Sequence, residues 1–405
     1  MKITAVETIR LGEFPNLLWV RIHTDEGLVG LGETYKAVTP VEAYIHETCA
    51  PLLLGQDALA IDKHSRTLLN CYIGFNSTGA EIRAASAIDI ALWDLLGKRT
   101  GQPVWQLLGG ASRERIRVYN TCAGYRYMRV KPIQGLSNWG LPAPGGAGGA
   151  SQPYEDLDAF LHRADELALS LKSEGYTGMK IWPFDEYAES SNGTRIAPAD
   201  LKKALLPFEK IRRAVGSDMD IHVEFHSLWD LPTAIEIAKA LEPYDPYWFE
   251  DPIKMTNADA LADYRRRTRV RVTASETLAT RWAFREFFER RAVSVAMFDI
   301  AWCGGLSEAK KIATMAEAYH LPIAPHDCTG PVVLTASVHL ALNCPNALVQ
   351  EVVRAFYTDW YAELLTELPP LDRGFISAPP GPGLGVELIP GLERRPDATV
   401  RVSRT

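Results

Sequence analysis

The pattern of hydrophobic and polar positions divides the chain into two parts. Near its beginning, two apolar runs, Leu18–Ile22 and Leu28–Gly32, flank the turn sequence Thr24–Gly27, which predicts a β-hairpin. Over Ala84–Leu96 the apolar side chains recur at the three- and four-residue spacing of one helical face. We therefore predict an α+β domain over residues 1–112.

From Ile116 onward, strand-like and helix-like segments alternate. Eight apolar segments are predicted as strands: 116–121, 177–182, 220–225, 246–250, 271–275, 295–299, 321–325 and 347–351. Helical stretches lie between them, at 155–174, 199–215, 231–242 and 305–319. Eight such units favour a closed barrel of parallel strands over an open sheet. We place this barrel domain at residues 113–379 and expect the tail, 380–405, to return to the first domain.

Residues 134–153 interrupt the alternation with a sequence rich in glycine and proline. Such a composition is incompatible with a helix or a central strand. The segment lies between the first barrel strand and its helix, so we interpret it as a lid or specificity loop over the catalytic rim. A disordered insertion is the alternative.

The composition is that of an ordinary globular protein. The chain has 405 residues, of which 47% are hydrophobic and 23% charged, with a net charge of −7. The acidic balance argues against a nucleic-acid partner, and no apolar run is long enough for a membrane span. The first residues do not resemble a secretion signal. Six scattered cysteines predict neither disulfides nor a thiolate zinc site, so we expect a cytoplasmic protein.

Three glutamates end successive strand-like runs at intervals of 26 residues: Glu224, Glu250 and Glu276. That interval fits one β/α unit, so the three side chains should emerge at the same rim of the barrel. Converging carboxylates repel one another unless a divalent cation lies between them, and Mg²⁺ prefers oxygen ligands while leaving room for a substrate. We predict a magnesium site here; the alternative is that each glutamate is an ordinary loop-facing residue.

Two motifs resemble those of the enolase superfamily, specifically its mandelate racemase-like branch. One is the helical sequence 84–98 followed by Gly-Gln-Pro103 and Gly109-Gly110; the other is Phe-Glu250-Asp-Pro at the centre of the glutamate series. The resemblance covers nearly the whole chain. It implies an α/β fold, a modified (β/α)7β TIM-type barrel with an N-terminal α+β capping domain. It also implies one essential Mg²⁺, removal of a proton α to a carboxylate with the metal stabilising the enediolate, and, by analogy, a homo-oligomer.

This chemistry needs a base, because a proton α to a carboxylate is very weakly acidic. Asp299 ends the sixth predicted strand and His326 the seventh, so the two side chains should be neighbours. A carboxylate that accepts from one imidazole nitrogen raises the basicity of the other. The pair resembles the His–Asp dyad of the branch, and His326 is our candidate general base. A buried structural histidine is the alternative.

His226 follows Glu224 by two residues, and period-two geometry would point both side chains the same way. This arrangement resembles that of galactonate and mannonate dehydratases, although those families have Asp where this chain has Glu224. Similarity to the galactonate dehydratase type extends to Ala-Pro-His326 and to residues 276–282. We interpret His226 as the acid that protonates a departing hydroxyl; a rim histidine without a proton role is the alternative.

Four other histidines have no predicted chemical role. We expect His222 to pack inside the barrel. His46, His64 and His162 lie on predicted helices and are interpreted as surface residues.

Three further residues complete the predicted site. Lys180 ends the second strand, where the branch often has Lys-x-Lys, but Trp182 occupies the second place, which argues against a two-base racemase. We expect Lys180 to bind the substrate carboxylate or enediolate, and Trp182 to wall the site or to pack. Glu351, at the end of the eighth strand, matches a position that can hydrogen-bond the substrate carboxylate, which would require a raised pKa.

Other acids and loops are assigned by position. Asp251 and Asp327 are expected behind the site, and the loops near 14–16 and 72–76 are expected to close over it.

Together these interpretations predict a Mg²⁺-dependent acid-sugar dehydratase. It would convert an aldonate or aldarate, a small-molecule sugar acid, into a 2-keto-3-deoxy acid. One alternative is a sugar-acid epimerase, racemase or lactone cycloisomerase with the same dyad. Another, of a different class, is a non-catalytic sugar-acid sensor.

Overall fold

The computed structural model describes residues 1–70, 78–129 and 155–405. The predicted lid at 134–153 and the predicted cap loop at 72–76 lie outside these residues.

An antiparallel sheet is formed by the two ends of the chain. Its strands are β1 (Ile3–Leu11), β2 (Leu17–Thr24), β3 (Val29–Tyr35) and β14 (Ala398–Arg404), in the order β14-β1-β2-β3. Strands β2 and β3 form the predicted hairpin. Strand β14 pairs with β1, so the C-terminal tail returns to the N-terminal sheet. The exact bounds of the two domains stay a prediction.

The helices that follow this sheet are α1 (Val38–Tyr44), α2 (Ala50–Leu53), α3 (Ile61–Leu69), α4 (Ala80–Thr100) and α5 (Val104–Leu107). The apolar face predicted for α4 is buried. Glycines on β3 allow α4 to come close: a Cβ at Gly32 would lie 1.9 Å from the backbone oxygen of Ala87, and one at Gly30 only 2.1 Å from that of Ala91. Any larger side chain would force the helix away from the sheet.

Eight parallel strands form the barrel and lie close to their predicted positions. They are β4 (Ile116–Thr121), β5 (Gly178–Ile181), β6 (Asp220–Glu224), β7 (Trp248–Glu250), β8 (Arg271–Ala274), β9 (Val295–Phe298), β10 (Ile323–Pro325) and β11 (Gln350–Val352). Each of β4 to β10 pairs with its sequence neighbour, and β11 pairs with β4. Leu348 donates a backbone hydrogen bond to Ile323, which closes the ring between β10 and the segment entering β11.

Helices alternate with the barrel strands along the chain. They are α6 (Asp156–His162), α7 (Ala164–Ser173), α8 (Asp185–Ala188), α9 (Pro198–Val215), α10 (Leu231–Leu241), α11 (Ala258–Arg267), α12 (Thr280–Glu289), α13 (Ile300–Cys303), α14 (Gly305–Ala318), α15 (Pro331–Asn343) and α16 (Arg354–Asp359). The helix predicted over 155–174 is in fact two, because Arg163 has a non-helical backbone.

The eighth strand is followed only by the short α16 and by two short strands, β12 (Leu371–Asp372) and β13 (Phe375–Ile376). The predicted (β/α)7β architecture is therefore confirmed. None of the described helices is both long and apolar enough to cross a bilayer.

Two of the four histidines without a predicted chemical role are more buried than expected, while His162 is exposed as predicted. His222 packs among Tyr119, Tyr247 and Trp248 in the barrel interior, in agreement with its predicted packing role. The prediction that His46 and His64 lie on the surface is wrong, because both are buried. His46 bonds to Thr8, and His64 bonds to a backbone carbonyl. Hydrogen bonds to these partners replace the bonds to water that the two imidazoles lose on burial.

Candidate active site

Three glutamates converge at the carboxyl ends of adjacent barrel strands. Glu224 and Glu250 are the last residues of β6 and β7 and pair in register, while Glu276 lies two residues beyond the end of β8. Each offers one carboxylate oxygen to a cluster in which these atoms lie within 4.8 Å of one another. Glu224 and Glu250 are fully enclosed, whereas the Glu276 side chain is 19% exposed and faces the cavity.

Neighbouring groups hold two of these carboxylates in place. One oxygen of Glu224 accepts the backbone N–H groups of Phe225, at 3.0 Å, and of His226, at 2.7 Å. One oxygen of Glu250 lies 3.1 Å from the indole nitrogen of Trp248, which donates to it. A set of hard carboxylate oxygens, fixed from behind, suits Mg²⁺.

Lys180, at the second-last position of β5, provides positive charge within the cluster. Its Nζ lies 2.6 Å from Glu250, 2.9 Å from Glu351 and 3.5 Å from Glu224. Burial raises the pKa of Glu224 to about 7 and that of Glu250 well above its usual range. Burial would lower the pKa of Lys180, but the Glu250 and Glu351 carboxylates hold it well above normal. Lys180 is therefore a buried cation that lies among three carboxyl groups.

His326 and Asp299 form the pair expected from adjacent strands. Nδ1 of His326 lies 2.7 Å from Asp299 Oδ2, and the other Asp299 oxygen accepts the backbone N–H of Ala301 at 2.7 Å. The second ring nitrogen, Nε2, lies 2.8 Å from a Glu276 oxygen.

Both ring nitrogens of His326 thus face acceptors, which favours the imidazolium form. Burial opposes that charge, yet Glu276 raises the pKa of His326 well above its usual value. Burial likewise opposes ionisation of Glu276, but His326 beside it lowers the Glu276 pKa.

His226 has a carboxylate partner of its own. Its Nδ1 lies 2.6 Å from Oδ2 of Asp185, which begins α8 and is buried. Sequence reasoning missed Asp185; its position three residues after Trp182, beyond the second barrel strand, was the available signal. The period-two argument for His226 was also wrong, because β6 ends at Glu224 and the backbone turns left-handed at His226, with φ 48°. The turn nevertheless leaves His226 in the cavity wall.

Trp182 and Glu351 border the same site. Trp182 lines the cavity and meets the His226 ring edge-on, with ring centroids 5.6 Å apart. Glu351 accepts from the Thr121 hydroxyl and, at 2.9 Å, from the backbone N–H of Asp327. Burial opposes its ionisation, but Lys180 and His326 lower its pKa. The prediction that the pKa of Glu351 is raised is therefore wrong, because Lys180 lies beside its carboxylate.

These groups surround a cavity of about 60 Å³. Its wall comprises Tyr35, Lys36, Thr121, Ala123, Tyr127, Lys180, Trp182, His226, Glu276, Trp302, His326 and Cys328. From the N-terminal sheet, Tyr35 and Lys36 reach it, whereas Phe14, expected there, is buried against Trp360. Sequence reasoning missed Lys36, which immediately follows β3.

The two acids expected behind the site are enclosed. Asp251 accepts from the Ser275 hydroxyl at 2.6 Å, and Asp327 accepts from that of Thr329 at 2.9 Å. Burial raises the pKa of both carboxyl groups well above the usual value.

Comparisons with known proteins agree with this architecture. Residues 4–109 match the family described as mandelate racemase/muconate lactonizing enzyme, N-terminal domain, and residues 162–391 match the family described as enolase C-terminal domain-like. A D-galactonate dehydratase from Ralstonia nicotianae is 32% identical over 401 residues, covering 97% of this chain and 93% of that protein.

Solved structures match over the full length. A crystal structure of an enolase of the mandelate racemase subgroup from Agrobacterium tumefaciens is 52% identical, with a TM-score of 0.86 and coverage of 100% of this chain and 99% of that one. An enolase protein from environmental sequencing of the Sargasso Sea is 45% identical, with a TM-score of 0.87 and the same coverage.

Proposed function

Because this chain belongs to the mandelate racemase/muconate lactonizing enzyme family of the enolase superfamily, we propose that it is a Mg²⁺-dependent acid-sugar dehydratase. One observation carries the proposal. Two histidines, each paired through Nδ1 with a buried aspartate, line one cavity beside a cluster of three glutamates. Elimination of water needs one group to take a proton and another to give one, and this pairing supplies both.

Glu224, Glu250 and Glu276 would hold the magnesium ion. When bound, Mg²⁺ supplies positive charge that stabilises the negative charge developing on the substrate carboxylate. Lys180 adds a second positive charge at the same place, since its Nζ already lies among the Glu224, Glu250 and Glu351 carboxylates. Lys180 would bind the carboxylate end of the substrate, and the Glu351 carboxylate, 2.9 Å from its Nζ, would hold the ammonium in place.

His326 would take the proton from C2. Asp299 binds Nδ1 and therefore leaves Nε2 as the nitrogen that faces the cavity. Nε2 must lose its proton before it can act as a base. Its present partner, Glu276, is also a proposed metal ligand. A Glu276 carboxylate shared with a metal ion would bind the His326 imidazolium less tightly.

His226 would protonate the departing 3-hydroxyl. Asp185 holds its Nδ1, so Nε2 is the nitrogen available to donate. The C2–H and C3–O bonds break, a C2–C3 double bond forms, and the hydroxyl leaves as water with the proton from His226. The resulting enol tautomerises to a 2-keto-3-deoxy acid. Trp182, packed against His226, would keep bulk water from that side of the substrate.

A screen of aldonic and aldaric acids with Mg²⁺ tests this proposal, with the 2-keto-3-deoxy product detected by semicarbazide absorbance. We expect at least one acid to be dehydrated and EDTA to abolish turnover. In the His226→Asn variant, dehydration should be reduced to a small residual rate while exchange of the C2 proton with solvent deuterium persists.

Other outcomes point to the alternatives. Exchange at C2 without loss of a hydroxyl in the wild-type protein would indicate an epimerase or a cycloisomerase. Absence of both reactions across the screen would contradict an enzymatic role at this site.

A further inference from the structure

We propose that Lys36 binds a second carboxylate at the far end of the substrate, so that the enzyme acts on aldarates in preference to aldonates. Aldarates are sugar diacids, whereas aldonates end in an uncharged hydroxymethyl group. The inference rests on the proposed function, because it assigns the far end of a substrate whose first carboxylate lies at the glutamate cluster.

Lys36 reaches the cavity from the N-terminal sheet, while Lys180, Glu276 and His326 reach it from the barrel rim. The backbone N–H of Lys36 donates to Asn16 at 2.8 Å. Lys36 has a left-handed backbone, with φ 59°, which turns the chain out of β3. These features fix where the lysine stem begins.

The preceding carbonyl is held from two sides. The Tyr35 carbonyl accepts from Arg83 Nη1 at 2.5 Å and from Trp302 Nε1 at 3.4 Å. The Arg83 guanidinium in turn lies over the Trp302 ring, 4.4 Å from its centroid. Because Trp302 belongs to the barrel helix α13 and also lines the cavity, these bonds tie the lysine turn to the wall of the site. Lys36 is therefore a positioned residue rather than a loose surface side chain.

The ammonium of Lys36 has no carboxylate partner. Over residues 1–70, 78–129 and 155–405, no acid forms an ion pair with it. Its Nζ lies over the aromatic ring of Tyr35, 5.1 Å from the ring centroid. Residues 71–77 and 130–154 contain neither Asp nor Glu, so they cannot supply one. Burial lowers the pKa of Lys36, and the Glu276 carboxylate across the cavity opposes that shift.

The Lys36 side chain is partly buried and has no ion-pair partner, so binding of an anionic group would offset part of the cost of its desolvation. A diacid would offer one carboxylate to Lys180 and the glutamate cluster and the other to Lys36. A monoacid would meet Lys36 with a hydroxyl. A charge-assisted hydrogen bond of this kind corresponds to about 10- to 100-fold in specificity.

The test compares diacids and monoacids of the same C2–C5 configuration, namely galactarate with galactonate and glucarate with gluconate. The kcat/KM of each is measured for the wild type, Lys36→Met and Lys36→Arg, with the exposed Lys254→Met as a matched control. Methionine keeps the length of the stem and meets the same left-handed backbone as lysine. Circular dichroism and thermal unfolding show whether each variant is folded.

We expect the wild type to prefer the diacid of the pair it accepts. Lys36→Met should reduce the diacid-to-monoacid ratio of kcat/KM by about 30-fold, mainly through KM, while Lys36→Arg keeps most of it and Lys254→Met keeps all. Dehydration of a monoacid with equal or higher kcat/KM, or a ratio unchanged in Lys36→Met, would overturn the role of Lys36 and leave the proposed dehydratase intact.

A binding measurement separates this inference from the proposed function. The same acids are titrated calorimetrically, with Mg²⁺, into His326→Asn and into the His326→Asn/Lys36→Met double variant. A preference for the diacid that disappears in the double variant supports the role of Lys36 even if no acid in the screen is dehydrated. Equal affinity for diacid and monoacid in His326→Asn refutes it.

Discussion

Replacement of Asp185 by asparagine should separate the two halves of the proposed reaction. Asp185 is buried and lies 2.6 Å from Nδ1 of His226, while His326 has its own partner, Asp299, at 2.7 Å. Asparagine has nearly the same shape but no charge. Without the carboxylate charge opposite Nδ1, the doubly protonated ring, which is the form that gives a proton from Nε2, loses its stabilising partner.

The size of the effect follows from the bond that is lost. A charge-assisted hydrogen bond in a buried site is worth about 1.5–3 kcal/mol, which corresponds to about 10- to 100-fold in kcat for dehydration. Exchange of the C2 proton should change by less than about 3-fold, because the dyad that removes that proton is not altered. The ratio of exchange to dehydration should therefore rise by at least about 3-fold.

Parallel assays measure the two rates on one substrate. Semicarbazide absorbance follows the 2-keto-3-deoxy acid, and proton NMR in D2O follows the C2 signal. The exposed Asp372→Asn is the matched control. If Asp185 acts through His226, the double variant Asp185→Asn/His226→Asn should dehydrate no more slowly than His226→Asn alone.

Two results would refute this reasoning. Equal losses of exchange and dehydration in Asp185→Asn would indicate a general disturbance of the site. Independent, multiplicative losses in the double variant would show that Asp185 does not act through His226.

Three other substitutions test the metal site, the dyad and the packing of the N-terminal sheet. Glu250→Gln should weaken Mg²⁺ binding about 100-fold or more and remove the rise in melting temperature that Mg²⁺ produces, whereas the exposed Glu236→Gln should behave as wild type; an unchanged Mg²⁺ titration would contradict the metal assignment. Asp299→Asn should slow C2 exchange and dehydration together by about 100-fold, and loss of dehydration alone would be inconsistent with a role beside the base. Gly32→Ala should lower the free energy of unfolding by about 3 kcal/mol in a urea titration, since its Cβ would lie 1.9 Å from the Ala87 oxygen; a loss below about 1 kcal/mol would show that the helix can move away.

Features that recur along the chain were predictable from the sequence. The interval between Glu224, Glu250 and Glu276 reflects the length of a β/α unit, and the carboxyl ends of parallel strands share one rim, so counting residues was enough to predict their convergence. The same reasoning placed Asp299 beside His326, whose side chains lie 2.7 Å apart. The catalytic and metal-binding roles of these residues stay proposals.

Features that depend on a single backbone turn could not be predicted in this way. Strand periodicity ends at Glu224, and the left-handed backbone of His226 itself decides where its side chain points. A histidine in the sequence does not indicate a positive φ, because that conformation is imposed by its surroundings. The predicted surface positions of His46 and His64 failed for a related reason: helical spacing shows which residues share a face, and not which face is covered.

The sequence by itself determined the strands, the helices, the order in which they alternate and the acidic residues that end them, because each depends on hydrophobic spacing over a few residues. Only the tertiary structure decided which charges meet. Asp185 reaches His226 from another β/α unit, Lys180 lowers the pKa of Glu351 instead of leaving it raised, and Lys36 enters the cavity from a different sheet. Electrostatic interactions act through space, and the distances between these groups exist only after the chain has folded.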